Sequence, residues 1–110
     1  MTGDAELLFT WDLPAAGTGR FVLSGDLVNE HAERLLAAVN EKLAEHRDLR
    51  EVWLDCAKLE LCDSRGLSVL LMVRRRTDSL GITLRLVNPT RLLDRLLDRT
   101  GTADYLTGPH

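Results

Sequence analysis

The sequence predicts a single small α/β domain built on one mixed sheet, and three observations carry that prediction. The chain has 110 residues, a length that buries roughly two-thirds of the surface its unfolded form exposes and supports one hydrophobic core. Its composition, 45% hydrophobic and 28% charged, is that of a globular domain rather than a disordered or fibrous chain. Apolar spacing switches along the chain between a period of two and helical periodicity, the mark of strands alternating with helices. No linker, repeat or low-complexity segment divides residues 1–110.

The elements follow in order. Leu7, Phe9, Trp11 and Leu13 alternate as one buried face of a strand. Pro14 to Gly19 reads as a loop, and Phe21–Ser24 as the second arm of a hairpin ended by Gly25-Asp26. Ala32, Leu35, Leu36, Val39 and Leu43 then form a helical stripe, with Asn29 as its N-cap. Val52-Trp53-Leu54 is a short apolar run, as in a central strand covered on both faces, followed by a loop over Asp55 to Cys62. A second helix spans about Ser64 to Leu80, turns Leu67, Leu70, Leu71 and Val73 inward, and closes at Gly81. Ile82, Leu84 and Leu86 alternate as a fourth strand. Pro89 near N1 opens a third helix with an apolar stripe of Leu92, Leu93, Leu96 and Leu97, ended by Gly101. The tail beyond it is expected to be loosely held. Strand–helix–strand units require parallel crossovers, and the opening hairpin adds an antiparallel edge, so the sheet is mixed.

Composition excludes several functions. A net charge of −3 argues against a general polyanion binder, and 5% aromatic residues leave little to stack on bases. No apolar run spans a bilayer, and Met1 to Glu6 hold no secretory signal pattern. Cys56 and Cys62 lack the spacing of a zinc site or a dithiol motif, so two reduced thiols in a cytoplasmic protein are expected, with no metal and no cofactor. Phosphate-loop and dinucleotide glycine patterns are absent, Cys62 has Ser68 rather than Arg six positions later, and Ser64 is not framed as a nucleophile elbow. His31 and His46 are expected at the solvated surface, so a serine nucleophile lacks a positioned base. Enzymatic activity is unsupported.

Elsewhere plain structural roles suffice. Arg74-Arg75-Arg76 reads as the solvated end of the second helix. Arg91, Arg95 and Arg99 read as an exposed stripe salt-bridged to Asp94 and Asp98. Trp11 and Trp53 read as core. Residues 1–63 hold thirteen Asp and Glu against six Lys and Arg, a balance of −7; residues 64–110 hold four against eight, a balance of +4.

One local feature has a mechanism. Asp63-Ser64-Arg65-Gly66-Leu67 stands where a loop enters a helix, whose first amides are unsatisfied and carry partial positive charge. Asp63 or Ser64 suits the cap. Gly66 in the first turn costs roughly 0.5–1 kcal/mol relative to Ala, so close approach of another backbone or of a partner must compensate. A phosphate on Ser64 would be favoured by the helix terminus, leaving the fold intact while adding about two negative charges beside Asp63.

The segment from Val52 to Leu71, which contains Asp63-Ser64-Arg65-Gly66-Leu67, resembles the core of a STAS domain, and specifically of the bacterial anti-sigma-factor antagonists. Leu23-Ser-Gly-Asp-Leu27, Leu86-Val-Asn-Pro-Thr90 and Leu92 through Gly101 agree in order and spacing, so the resemblance covers about residues 7–106. It implies a four- or five-stranded mixed sheet with packed helices, and a non-enzymatic switch. In that family the serine is phosphorylated by an anti-sigma factor with a histidine-kinase-like ATPase fold. The unphosphorylated antagonist binds that kinase and frees a sigma factor; a metal-dependent phosphatase restores it. Carried onto this chain, Ser64 is the phosphoacceptor. Asp63, Arg65 and Gly66 belong to the contact surface, with the Gly25–Glu30 loop beside it. Val28 replaces the family's aspartate, for which Asp26 or Asn29 stands in, and Arg65 replaces a small Ser or Thr. The alternative on the same fold is a structural subunit of a larger assembly, such as a lipid-transport ATPase, with Ser64 only a helix cap.

Overall fold

Four strands form one mixed sheet in the computed structural model, which describes residues 6–107. In chain order the elements are β1 (Leu8–Ala15), β2 (Thr18–Leu27), α1 (Asn29–Glu45), β3 (Glu51–Cys62), α2 (Ser64–Ser79), β4 (Thr83–Val87), α3 (Arg91–Thr100) and α4 (Ala103–Thr107). The sheet order is β1-β2-β3-β4, antiparallel in its first pair and parallel in the other two. This is the mixed α/β architecture expected.

One face of the sheet carries the core. Phe21, Leu23, Val52, Leu54, Cys56 and Leu84 alternate onto it and are buried, as are Ala32, Leu35, Val39 and Leu43 of α1 and Leu67, Leu70 and Val73 of α2. The opposite face holds Arg20, Val22, Ser24, Glu51 and Trp53, all only half-buried. Trp53 therefore lies outside the core, with its indole N–H donating to Glu51. Trp11 does pack on the core, its ring 4.8 Å from that of Phe21 and 5.6 Å from that of His46.

Several boundaries differ from the sequence reading, each for a physical reason. The loop over Pro14 to Gly19 is only a turn at Ala16-Gly17, with Gly17 at φ +75°, because the hairpin absorbs its extra residue as an irregularity between Asp12 and Ala15. β2 runs on through Gly25 and Asp26 to Leu27. The expected loop from Asp55 to Cys62 is strand, since β3 continues beside β2 with register shifts after Val22 and after Gly25. Those shifts break the two-residue alternation by which a strand is recognised. Pro89 lies before the cap rather than near N1: Thr90 caps α3, its Oγ1 accepting from the Leu93 amide at 3.2 Å.

Two expectations about charge fail, the first for Arg74 alone, since Arg75 and Arg76 are exposed. Arg74 lies on the inward stripe of α2 at 9% exposure; its Nε donates to Asp78 at 2.9 and 3.0 Å, and an Nη donates to the Tyr105 carbonyl. Its guanidinium also sits 4.7 Å from the Tyr105 ring. The tail is accordingly held: residues 103–107 form α4, and Leu106 is buried at 1%. Arg91, Arg95 and Arg99 take part in none of the ion pairs among the described residues. Each Asp there follows its Arg by three residues, the weaker orientation for a helical pair. Of the four leucines assigned to the core of α3, Leu93 and Leu97 are buried while Leu92 is 60% exposed.

Candidate functional site

The junction of β3 with α2 is built around Asp63. Its backbone is extended, and its Oδ1 accepts from the Gly66 amide at 2.8 Å, capping α2. Its Oδ2 accepts from the Asn29 amide at 3.1 Å, 34 residues away at the start of α1. Its own N–H donates to the Leu27 carbonyl at 3.4 Å. One carboxylate therefore serves the N-termini of two helices, each of which favours negative charge.

This explains two sequence features. Asn29 is not a side-chain cap: Val28 occupies the cap position with no side-chain bond, and Asn29 stands at φ +50° as the first residue of α1. Asn tolerates that left-handed conformation better than most residues, and it delivers the amide to Asp63. Gly66 is required by close approach. A Cβ there would lie 2.0 Å from the Leu27 carbonyl oxygen and 3.0 Å from Cys62 Sγ. The compensating neighbour anticipated for this glycine is the backbone that leaves β2.

Ser64 is the first residue of α2 and is exposed, and its hydroxyl makes no hydrogen bond among the described residues. It lines a shallow cleft between α1 and α2 with Glu33, Leu36, Arg65, Ser68, Val69 and Met72. Arg65 reaches across this cleft, its Nε 3.5 Å from Glu33 Oε2, with both side chains more than half exposed. This pair joins the acidic and basic halves of the chain, which do not separate in space here. Met72 is 47% exposed, giving the cleft an apolar end.

The other proposed contact residues divide. Asp63 is partly buried and committed to backbone amides, so it is not free to act as a base toward Ser64. Gly66 is buried, Asn29 exposed, and Asp26 buried at 3%. Asp26 thus offers no exposed carboxylate in place of the family's aspartate, and Val28 is itself buried. Cys62 is half-buried below the junction, and burial, then the charge of Asp63, pushes its thiol up to about 12. Burial, then Asp55, does the same to Cys56. His31 is half-buried rather than solvated, its Nδ1 shielded and without a hydrogen-bond partner.

Sequence reasoning passed over Glu33, Leu36, Ser68 and Met72. A signal for three of the cleft residues was present, since Ser64, Ser68 and Met72 recur every four residues on one face of α2. Nothing local points to Glu33 on α1. A second exposed apolar area flanks the junction, where Leu61 at 50% and Leu92 at 60% exposure line a groove between β3 and α3. Among the described residues no group of three or more His, Cys, Asp or Glu is placed to hold a metal, and no helix is long and apolar enough to cross a membrane.

Comparison with known proteins agrees with this architecture. The anti-sigma factor antagonist SpoIIAA in its unphosphorylated form superposes with a TM-score of 0.77 at 17% identity, over 91% of this chain and 86% of that one. An anti-sigma factor antagonist from Mycobacterium paratuberculosis gives 0.77 at 17% identity, over 91% and 82%. A sulfate transporter family protein from Wolinella succinogenes gives 0.70 at 16% identity, over 86% and 75%. At such identities the likeness is one of fold. No curated protein sequence matches. The family model described as "Mlab, STAS domain" matches residues 15–108, nearly the whole chain, and on that match the protein belongs to the STAS-domain family.

Proposed function

We propose that this protein is a cytoplasmic, non-enzymatic binding switch of the anti-sigma-factor antagonist kind. In this reading the unphosphorylated form binds an anti-sigma factor that is also a serine kinase of histidine-kinase-like ATPase fold, and so releases a sigma factor. Phosphorylation of Ser64 ends the binding, and a metal-dependent serine phosphatase reverses it. The observation that carries the reading is the exposed Ser64 hydroxyl at the first position of α2, beside a junction that Asp63 already caps. A phosphate there adds about two negative charges while disturbing none of the hydrogen bonds that hold the two helices. A partner seated over Asp63, Arg65 and the cleft meets repulsion and desolvation, and a loss of about 3 kcal/mol weakens binding roughly a hundredfold.

The test combines phosphorylation with capture. Incubation with the cognate kinase and ATP, followed by phosphopeptide mapping, should place phosphate on Ser64. In pull-downs Ser64→Ala should retain the kinase and Ser64→Asp should lose it. Absence of phosphate on Ser64, together with equal capture by Ser64→Asp, refutes the switch.

The Mlab description of the matching family and the likeness to a sulfate transporter family protein favour a second reading. In it the domain is a constitutive subunit of a larger assembly such as a lipid-transport ATPase, and Ser64 is only the start of a helix. Capture of transporter subunits by wild type and Ser64→Asp alike is its distinguishing result.

A further inference from the structure

Arg65 departs from the small residue that antagonists place after their serine, and the structure gives it one partner, Glu33, at 3.5 Å across the α1–α2 cleft. Both side chains are more than half exposed. Such a pair gains little from its contact, because solvent screens it and two long side chains must be held in place. Glu33 and Arg65 are the charged residues lining this cleft, and Ser64 lines it with them. Asp63, the nearest other charge in sequence, accepts from the Asn29 and Gly66 amides and forms no ion pair with Arg65 among the described residues.

A phosphate on Ser64 would be the strongest acceptor on this cleft. It carries about two negative charges and three acceptor oxygens, and a guanidinium pairs with phosphate oxygens through two parallel N–H donors. Glu33 offers one charge from another helix. The exchange requires only rotation of an exposed side chain, since the backbone at Arg65 is fixed by the helix. We propose that Arg65 is the internal counter-charge of phosphorylated Ser64, leaving Glu33 for the phosphate and so reversing which residue is bare on the cleft. In the unphosphorylated protein the cleft presents a neutral Arg65–Glu33 bridge beside a hydroxyl. In the phosphorylated protein it presents a partly neutralised phosphate and an unpaired Glu33. The off-state is then written on α1 as well as on α2, and a partner or phosphatase reads both. This inference rests on Ser64 being the phosphoacceptor, and Arg65 acts in it as a positioning residue.

Phosphoserine encoded genetically at position 64 of the full chain makes the test independent of any kinase, so failure here is separate from failure of the phosphorylation assay above. Phosphorus NMR titration reads the second ionisation of the phosphate in three proteins: the phosphoprotein, the same protein with Arg65→Gln, and that with Glu33→Gln. A paired guanidinium holds that ionisation lower, so Arg65→Gln should raise it by roughly 0.2–0.7 pH units, and Glu33→Gln, which removes one like charge on another helix, should lower it by much less. Nitrogen NMR of the Arg65 side chain should show its Nε–H shift on phosphorylation and stay put in the unphosphorylated protein whether or not phosphate is added to the buffer. Equal titration of the wild-type and Arg65→Gln phosphoproteins overturns the proposal. So does a fall in the ionisation on Glu33→Gln comparable to the rise on Arg65→Gln, which would mean Arg65 stays with Glu33.

Discussion

Replacing Gly66 by Ala sets two opposed effects against each other at one atom. Helix propensity alone favours the change by about 1 kcal/mol, since glycine is the costlier residue within a helix. The new Cβ would lie 2.0 Å from the Leu27 carbonyl oxygen, 3.0 Å from its carbonyl carbon and 3.0 Å from Cys62 Sγ. Two of those atoms are backbone and cannot swing aside, so α2 must retreat from β2 by about an ångström to restore van der Waals contact. Overpacking of this kind costs roughly 1–3 kcal/mol. Retreat also stretches the 3.1 Å bond from the Asn29 amide to Asp63 and the already long 3.4 Å bond from Asp63 to Leu27, each worth about 0.5–1.5 kcal/mol net. The balance is a loss of about 2 kcal/mol. Urea denaturation should show a lower midpoint with an unchanged slope, and the melting temperature should fall by roughly 8 °C for a domain of this size. Ser68→Ala, at an exposed site two residues on, serves as the control and should be neutral or slightly stabilising. If Gly66→Ala is as stable as wild type, or gains the kilocalorie that propensity offers, the close approach to Leu27 is not what requires glycine.

Two further outcomes follow from buried groups. Arg74→Ala removes the paired contact with Asp78 and the donation to Tyr105, and should cost roughly 2–3 kcal/mol. Hydrogen exchange in residues 103–107 should accelerate more than in α1, and uniform acceleration would show that α4 is held by other means. The thiols of Cys56 and Cys62 stand near 12, against an ordinary 9.0, because burial and then Asp55 and Asp63 respectively disfavour the thiolate. A raised folded value means the contribution is whole below pH 9.0 and is lost as pH climbs toward 12, where the unfolded chain sheds protons that the fold retains. The urea midpoint should therefore drop between about pH 9 and 11, and drop less steeply in Cys56→Ala; parallel slopes would refute the assignment.

The residues that announced themselves in the sequence were those whose cause is local. Ser64 and Asp63 sit at a helix start that composition and spacing locate, and the cost of Gly66 in a first turn pointed to a tight approach before its partner was known. Strands with unbroken alternation, such as the one through Leu84, were equally plain. What escaped depends on distant chain. The strand pattern of β3 stops at Leu54 in the sequence because its register against β2 shifts twice, which scrambles the alternation. Arg74 reads as surface until Tyr105, 31 residues later, is brought against it. Asn29 has the chemistry of a cap, yet a carboxylate from the β3–α2 junction takes that task and leaves Asn29 to supply an unusual backbone angle. Glu33 enters the cleft only because α1 and α2 pack side by side.

The shared carboxylate of Asp63 also has a kinetic meaning. With both helix termini tied to one side chain and Gly66 seated against Leu27, the surface around Ser64 is shaped before any partner arrives. If the proposed partner docks there, association orders few groups, so a small footprint holds it without the entropy of arranging loops. On the proposed reading, residence time, set by how quickly a preformed surface lets go, is the quantity that substitutions at positions 65, 68 and 72 would tune while the junction beneath stays unchanged.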